Sequence, residues 1–409
     1  VSMAAPLSHI RVLDLSRVLA GPLATQFLAD MGAEVIKIER PRSGDDTRAW
    51  GPPFAVEPTE NDPGISAYFA CCNRGKQSVT VDITHPKGQE LIRKLAAKSD
   101  VVIENFKVGG LAKYGLDYQS LKQINPGIIY CSITGFGQTG PYAPRAGYDF
   151  LVQAMGGLMS ITGEPDDVPG GGPVKVGVAI SDQMAGMFAL SAILTALLKR
   201  ERTGEGEYID VALLDSTVAS LINQASTYLV SGIVPQRMGN AHPTVVPYQA
   251  FRTADGHIIL AIGNDGQFQR FCAVAGLEGL ADDERYRTNS ARILNRDTLI
   301  PKIAEAIRQR TTAEWVSLLE SQAVPCGPIN TIDQVFADPQ VQARGMRRVL
   351  EHEKAGPLPV TANPVRMASH DTTASKAPPL LGENTEEVLS RLLDLSPDDI
   401  AALRNEGVV

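Results

Sequence analysis

Apolar positions in the N-terminal half of the chain change period repeatedly, and each change predicts an element. Ile10 to Leu15 reads as a buried strand, Gly21 opens a helix running to about Met31, and Glu34 to Ile38 is a second strand. Pro22 suits the first helical turn, where its missing N–H costs nothing. The pattern recurs with Ser78 to Val81 as a strand, Lys87 to Ala97 as a helix, and Val101 to Ile103 and Ile128 to Ile133 as further strands. Strands alternating with helices predict an α/β fold with a parallel, doubly wound sheet. Pro173 to Ile180 then alternates β-branched with small residues, and from Met184 a helical period runs through Met187, Phe188, Leu194 and Leu198. Asp182 therefore falls where a strand is expected to become a helix. Glu207 to Val211 reads as a strand and Ser216 to Leu229 as a helix.

The pattern then weakens. Gly232 to Pro247 has little apolar period and reads as a linker or flap. Tyr248 to Phe251 and His257 to Ile262 flank Asp255-Gly256, a hairpin signal, and Thr311 with Glu314 forms a capping box ahead of a later helix. Arg347 to Glu351 and Leu358 to Val360 read as strands returning to the first domain. With 409 residues the chain exceeds what one core fills. A large domain over 1–225, a small one over 226–330 and a return segment over 331–409 are expected.

Composition narrows the classes. Hydrophobic residues at 44% and charged residues at 21% are those of an ordinary globular protein, and a net charge of −8 argues against a nucleic-acid binder. No run is read as a membrane span and the opening residues lack the segments of a secretory leader; Val1 and Ser2, ahead of Met3, read as an addition. Five cysteines without C-x-x-C spacing point to a reducing compartment, so the cytoplasm and no metal are expected.

In doubly wound sheets ligands lie beyond the carboxyl ends of the strands. The exits here carry Arg17, then Arg40, then Asn105-Phe106, then Thr134-Gly135-Phe136-Gly137. Each alone is an ordinary solvated turn; together they predict a site for a large anionic ligand with a planar ring, and Lys113 adds charge for a phosphate. Arg48, in the turn-rich segment Gly44 to Pro53, is open to two readings, a bidentate partner for a substrate carboxylate or an ion pair with Asp45 or Asp46. Glu39 stands where a dinucleotide fold puts its ribose acid, but Gly21 is alone where G-x-G-x-x-G belongs, which sets a dehydrogenase aside. Ser181 or Asp182 can be a helix cap; alternatively, Asp182 is a carboxylate nucleophile kept ionised by the helix N-terminus, with room left by Gly177, Ala179, Ala185 and Gly186.

These residues together resemble the class III CoA-transferase (CaiB/BaiF) family. The resemblance runs nearly end to end and rests on Arg17 to Pro22, Gly32 to Pro41, Glu104-Asn105-Phe106, Ser132 to Pro141, the Asp182 segment, and Pro379 to Glu383. It implies that Asp182 attacks an acyl thioester and carries CoA as an aspartyl thioester. It further implies a CoA site of Arg17, Leu19, Ala20, Arg40, Asn73, Lys76, Asn105, Phe106, Lys113 and Thr134 to Gly137. CoA and its acyl thioesters are then substrates rather than resident cofactors. The family's fold is a Rossmann-like large domain from both chain ends plus a small α/β domain, assembled as an interlocked homodimer. Racemases among its relatives carry a catalytic histidine where this chain has Tyr148, and a tyrosine of pKa near 10 is a poor general base. Oxalate-using members have glutamine at the position of Leu19 and a glycine flap where Met238 to His242 stand. Gly44 to Pro53 and Gly239 to Phe251 look more like the succinyl-CoA:glutarate branch. A dicarboxylic acceptor is therefore expected, near Arg48 or His242, with Tyr148 and Asn240 as further substrate candidates.

Overall fold

A computed structural model describes residues 5–373 and 376–409; Val1 and Ser2 lie outside the described residues. Six parallel strands form the main sheet: β1 Arg11–Asp14, β2 Glu34–Glu39, β3 Lys76–Thr80, β4 Val101–Glu104, β5 Ile129–Thr134 and β6 Glu207–Ala212. Their order is β3-β2-β1-β4-β5-β6, so the direction of winding reverses between β1 and β4. Successive strand residues feed opposite cores, as a pleat requires. Val12, Val35, Ile103 and Cys131 pack on one face with α1 (Ala20–Asp30) and the long helix Ile180–Thr203. Leu13, Ile36, Val102 and Tyr130 pack on the other with the helix Pro86–Ala97 and the C-terminal helices Thr385–Leu393 and Pro397–Asn405.

Among the described residues, one compact unit takes in the chain up to Leu158, Val176–Val230 and the chain from Pro339; a second takes in Met159–Lys175 and Ser231–Asp338. Residues 159–175, expected in the large domain, thus group with the smaller unit. That unit has an antiparallel sheet in the order Cys326–Pro328, His257–Ala261, Tyr248–Arg252 over a core including Phe251, Phe268, Phe271 and Trp315. The Asp255-Gly256 hairpin and the Thr311 capping box are both present.

Three expectations change. Pro173 to Ala179 is irregular and joins no sheet, with bends at Gly177 and Val178, and Ile180 already opens the helix: the Val174 N–H donates to Thr162 O, and the Val176 N–H to the Gln153 side chain. The single helix expected over Ser216 to Leu229 is two, Leu213–Ala219 and Ile222–Ser231, with Ile222 at φ +43° at the break. Arg347–His352 and Gly356–Thr361 pair with each other and not with the main sheet. The helix Ile180–Thr203, not read as a span, is long and apolar enough to cross a membrane by length and composition alone. One face of it packs in the core, with Ala185, Ala189, Ile193, Ala196 and Leu197 buried, while Met187, Phe188 and Leu198 at other positions are exposed.

Candidate active site

The first strand exit sets the geometry. Val18, a β-branched residue, sits at φ +71°, a conformation costing on the order of 1–3 kcal/mol that persists only where neighbours impose it. Both Asp45 carboxylate oxygens accept its N–H, at 3.3 and 3.2 Å. Buried Lys37 donates to Asp45 and to Ser16 O, each at 2.9 Å. Burial works against the Asp45 charge, yet Lys37 holds its pKa down to about 2. Asn105 closes the clamp, accepting the Arg17 N–H at 2.9 Å and donating to Arg17 O at 2.6 Å. The chain then enters α1 with Leu19 as its half-buried cap and Ala20 buried behind it.

At the carboxyl ends of β1 to β4, around the point where the winding reverses, lies a cleft of about 400 Å³. Arg17, Arg40, Lys107 and Lys113 bring cations to it, Phe106 and Tyr114 bring rings, and Leu15, Ile38, Val81 and Ile83 line its floor. The Arg17 guanidinium stands 5.3 Å over the Phe106 ring and the Lys113 ammonium 4.6 Å over Tyr114. Cations with flat rings on an apolar floor suit a ligand carrying phosphates and a heteroaromatic base. Lys107 and Tyr114 were not singled out from the sequence, although Lys107 directly follows Asn105-Phe106.

Other residues expected in the CoA site lie elsewhere. Lys76 is buried, donating to Pro22 O and Asn73 Oδ1 at 2.9 Å and to Asp14 at 3.3 Å. Burial lowers its pKa despite the Asp14 charge. Asn73 is buried too, with its amide N–H donating to Phe69 O. Both side chains are engaged beneath the strand exits. The Thr134 to Gly137 loop does not line this cleft: Thr134 Oγ1 accepts the Gly137 N–H, and Gly135 lies against Gly147 so closely that a Cβ would meet backbone at 2.5 Å. Phe136 is buried edge-on to Tyr142.

Arg48 resolves to a third arrangement. It is fully buried, paired bidentately with Glu39 at 2.7 Å through both contacts, donating to Gly64 O and Pro379 O, and lying 3.7 Å over Phe69. Its guanidinium, engaged on all sides, is not free for a substrate carboxylate, and Glu39 is its counter-ion rather than a ribose acid. Tyr148 is 70% exposed at the start of the helix Asp149–Met155. His242 belongs to the smaller unit, where its Nδ1 accepts the Thr244 N–H and its ring meets Tyr248 edge-on. Asn240 is exposed in the same segment.

Asp182 is neither a cap nor the end of a strand. Ala179 is the cap residue, without a side-chain bond, and Asp182 occupies the first turn of the helix Ile180–Thr203. The capping acceptor comes from afar, because Asp149 Oδ1 accepts the Ser181 N–H at 2.8 Å. The helix packs against α1 through Gly186, where a Cβ would sit 2.6 Å from Ala20 O. Gly186 therefore serves helix contact, not substrate room, whereas a Cβ at Gly177 would meet nothing within 4 Å. The Asp182 carboxyl is half-buried, and burial first, then the Asp149 carboxylate, pushes its pKa up to about 7. This runs against the expectation that the helix N-terminus keeps it ionised, since burial outweighs the helix end. Tyr68 feels the same charge: burial and then Asp182 push its phenol up to about 12, so it stays a neutral donor at working pH. Trp50 packs edge-on to Tyr68 at 5.0 Å. Nothing in local sequence spacing joins Tyr68 or Asp149 to Asp182.

A family model described as CoA-transferase family III matches residues 7–385. The chain belongs to this family. It is thus a CoA-transferase, and CoA thioesters are its substrates. It is 53% identical over 387 residues to a succinate–glutarate CoA-transferase of Agrobacterium fabrum, covering 95% of this chain and 96% of that one. It is 45% identical to a human succinyl-CoA:glutarate CoA-transferase, covering 99% and 90%. Among solved structures, a CaiB/BaiF family protein from Brucella suis is similar with a TM-score of 0.84 at 49% identity, covering 95% of this chain and all of that one.

Proposed function

We propose that this CoA-transferase moves CoA from succinyl-CoA to a dicarboxylic acid, glutarate foremost, through an aspartyl-CoA thioester on Asp182. The observation that carries the mechanism is a half-buried carboxyl in the first turn of a helix, with a pKa of about 7 and a neutral phenol within range of its charge. The relatives at 53% and 45% identity, both named for glutarate, support the substrates. The Asp182 carboxylate attacks the thioester carbonyl, the C–S bond breaks, and CoA leaves as thiolate from an aspartyl–acyl anhydride. The thiolate attacks the Asp182 carbonyl, forming the aspartyl thioester and releasing the donor acid. The acceptor carboxylate then displaces the thiolate, which attacks the acceptor carbonyl of the second anhydride and restores Asp182. Thioester energy is retained throughout, provided water is excluded.

The cleft over β1 to β4 holds the nucleotide end of CoA, with Arg17, Arg40, Lys107 and Lys113 facing its phosphates. The active form is a homodimer. In its support, four large apolar side chains of the larger unit, Leu198, Ile222, Leu229 and Val230, are 64, 73, 79 and 89% exposed, and exposed apolar residues of this kind mark subunit contacts when they gather in a patch. The substrate assignment is tested by incubating the enzyme with succinyl-CoA and a panel of mono- and dicarboxylic acids and following each acyl-CoA by chromatography. Glutaryl-CoA is expected at the highest kcat/KM; equal rates for acids lacking a second carboxylate would overturn the dicarboxylate preference.

A further inference from the structure

Glu104 ends β4 with 6% of its surface exposed, directly ahead of the Asn105-Phe106 pair. No Lys or Arg pairs with it among the described residues, and burial pushes its pKa up to about 7. A carboxyl buried without a counter-ion is costly unless every oxygen is bonded. Here both are: Oε1 accepts the Ser132 hydroxyl, which in turn accepts the Tyr208 phenol at 3.3 Å, and Oε2 accepts the Phe106 N–H at 2.7 Å. The Phe106 N–H bond fixes where the backbone turns after β4. From that turn Asn105 reaches back to hold both backbone groups of Arg17, and the Phe106 ring stands under the Arg17 guanidinium in the cleft.

We propose that Glu104 is a positioning residue for CoA recognition, its carboxyl setting the pose of the Asn105-Phe106 turn and, through it, the Arg17 side of the cleft. The role depends on oxygen placement and not on charge. A glutamine can accept the Phe106 N–H with its carbonyl and donate its amide to Ser132 Oγ, as a protonated carboxyl would. An aspartate keeps the charge but withdraws the oxygen by one methylene, leaving a buried N–H without its acceptor.

The inference rests on the reading of the cleft as the CoA site, and the test separates the two. Free CoA is titrated calorimetrically into wild type, Glu104→Gln and Glu104→Asp, and KM is measured for succinyl-CoA and for the acceptor acid. Glu104→Gln is expected to bind CoA within about threefold of wild type, and Glu104→Asp about tenfold more weakly, with a matching rise in KM for succinyl-CoA only. Unchanged binding by Glu104→Asp, equal losses in both variants, or an equal rise in the acid's KM would overturn the proposal. No CoA binding by wild type would instead sink the cleft reading, and this inference with it.

Discussion

Replacing Asp182 by Asn is expected to abolish turnover while making the folded protein more stable, increasingly so as pH rises. The carboxyl's pKa is about 7 in the folded chain, against an ordinary value of 3.8. Between those values the folded state holds a proton that the unfolded state has lost, so wild-type stability falls as pH climbs through the window, and the full penalty is in place above pH 7. About three pKa units at 1.36 kcal/mol each gives ~4 kcal/mol. Because part of the side chain faces water, screening leaves roughly half of that, ~2 kcal/mol. Asn carries no charge at any of these pH values and escapes the penalty. For a protein of this size the gain amounts to about 2–4 °C in Tm at pH 8, with about a third of it already present at pH 5. Differential scanning calorimetry of both proteins at pH 5, 6, 7 and 8 reads the difference directly. A constant offset across that range would mean that packing and not ionisation separates them, and a gain that shrinks with pH would refute the electrostatic account of the site.

The same reasoning extends outward. Asp149→Asn removes the like charge that helps hold the Asp182 pKa up, so the acid limb of the kcat/KM profile should move to lower pH, which initial rates between pH 5 and 9 would show. Arg48→Met leaves Glu39 buried without its partner and should cost about 3–5 kcal/mol in urea unfolding. Gly186→Ala drives a Cβ into the Ala20 carbonyl, and a loss of about 1–3 kcal/mol by the same assay is expected.

The main sheet was legible because strands buried on both faces appear as short apolar runs bounded by turn residues, and all six were anticipated to within about two residues at each end. Pro173 to Ile180 misled for a physical reason: period-two alternation of β-branched residues favours a strand only where a partner strand and a core face are there to take it. Val174 and Val178 are more than half exposed. The ring of residues at the strand exits was legible only in part. Arg17, Arg40, Phe106 and Lys113 line the cleft, whereas Arg48 and Lys76 face inward to Glu39 and Asp14. A buried cation and a solvent-facing one look alike in sequence when the acid that pairs with it lies on another element. Asp182 could be singled out from its place at a helix start, but its raised pKa could not be read from the sequence, since the groups that raise it reach it through tertiary packing and include Asp149, 33 positions earlier in the chain.

The covalent role proposed for Asp182 is tested most directly by intact-protein mass spectrometry after brief exposure to succinyl-CoA, with and without hydroxylamine. Wild type should gain a CoA-sized adduct that hydroxylamine removes, and Asp182→Ala should gain none. An adduct that persists in the variant, or turnover by wild type with no adduct at any time point, would contradict the aspartyl-CoA mechanism.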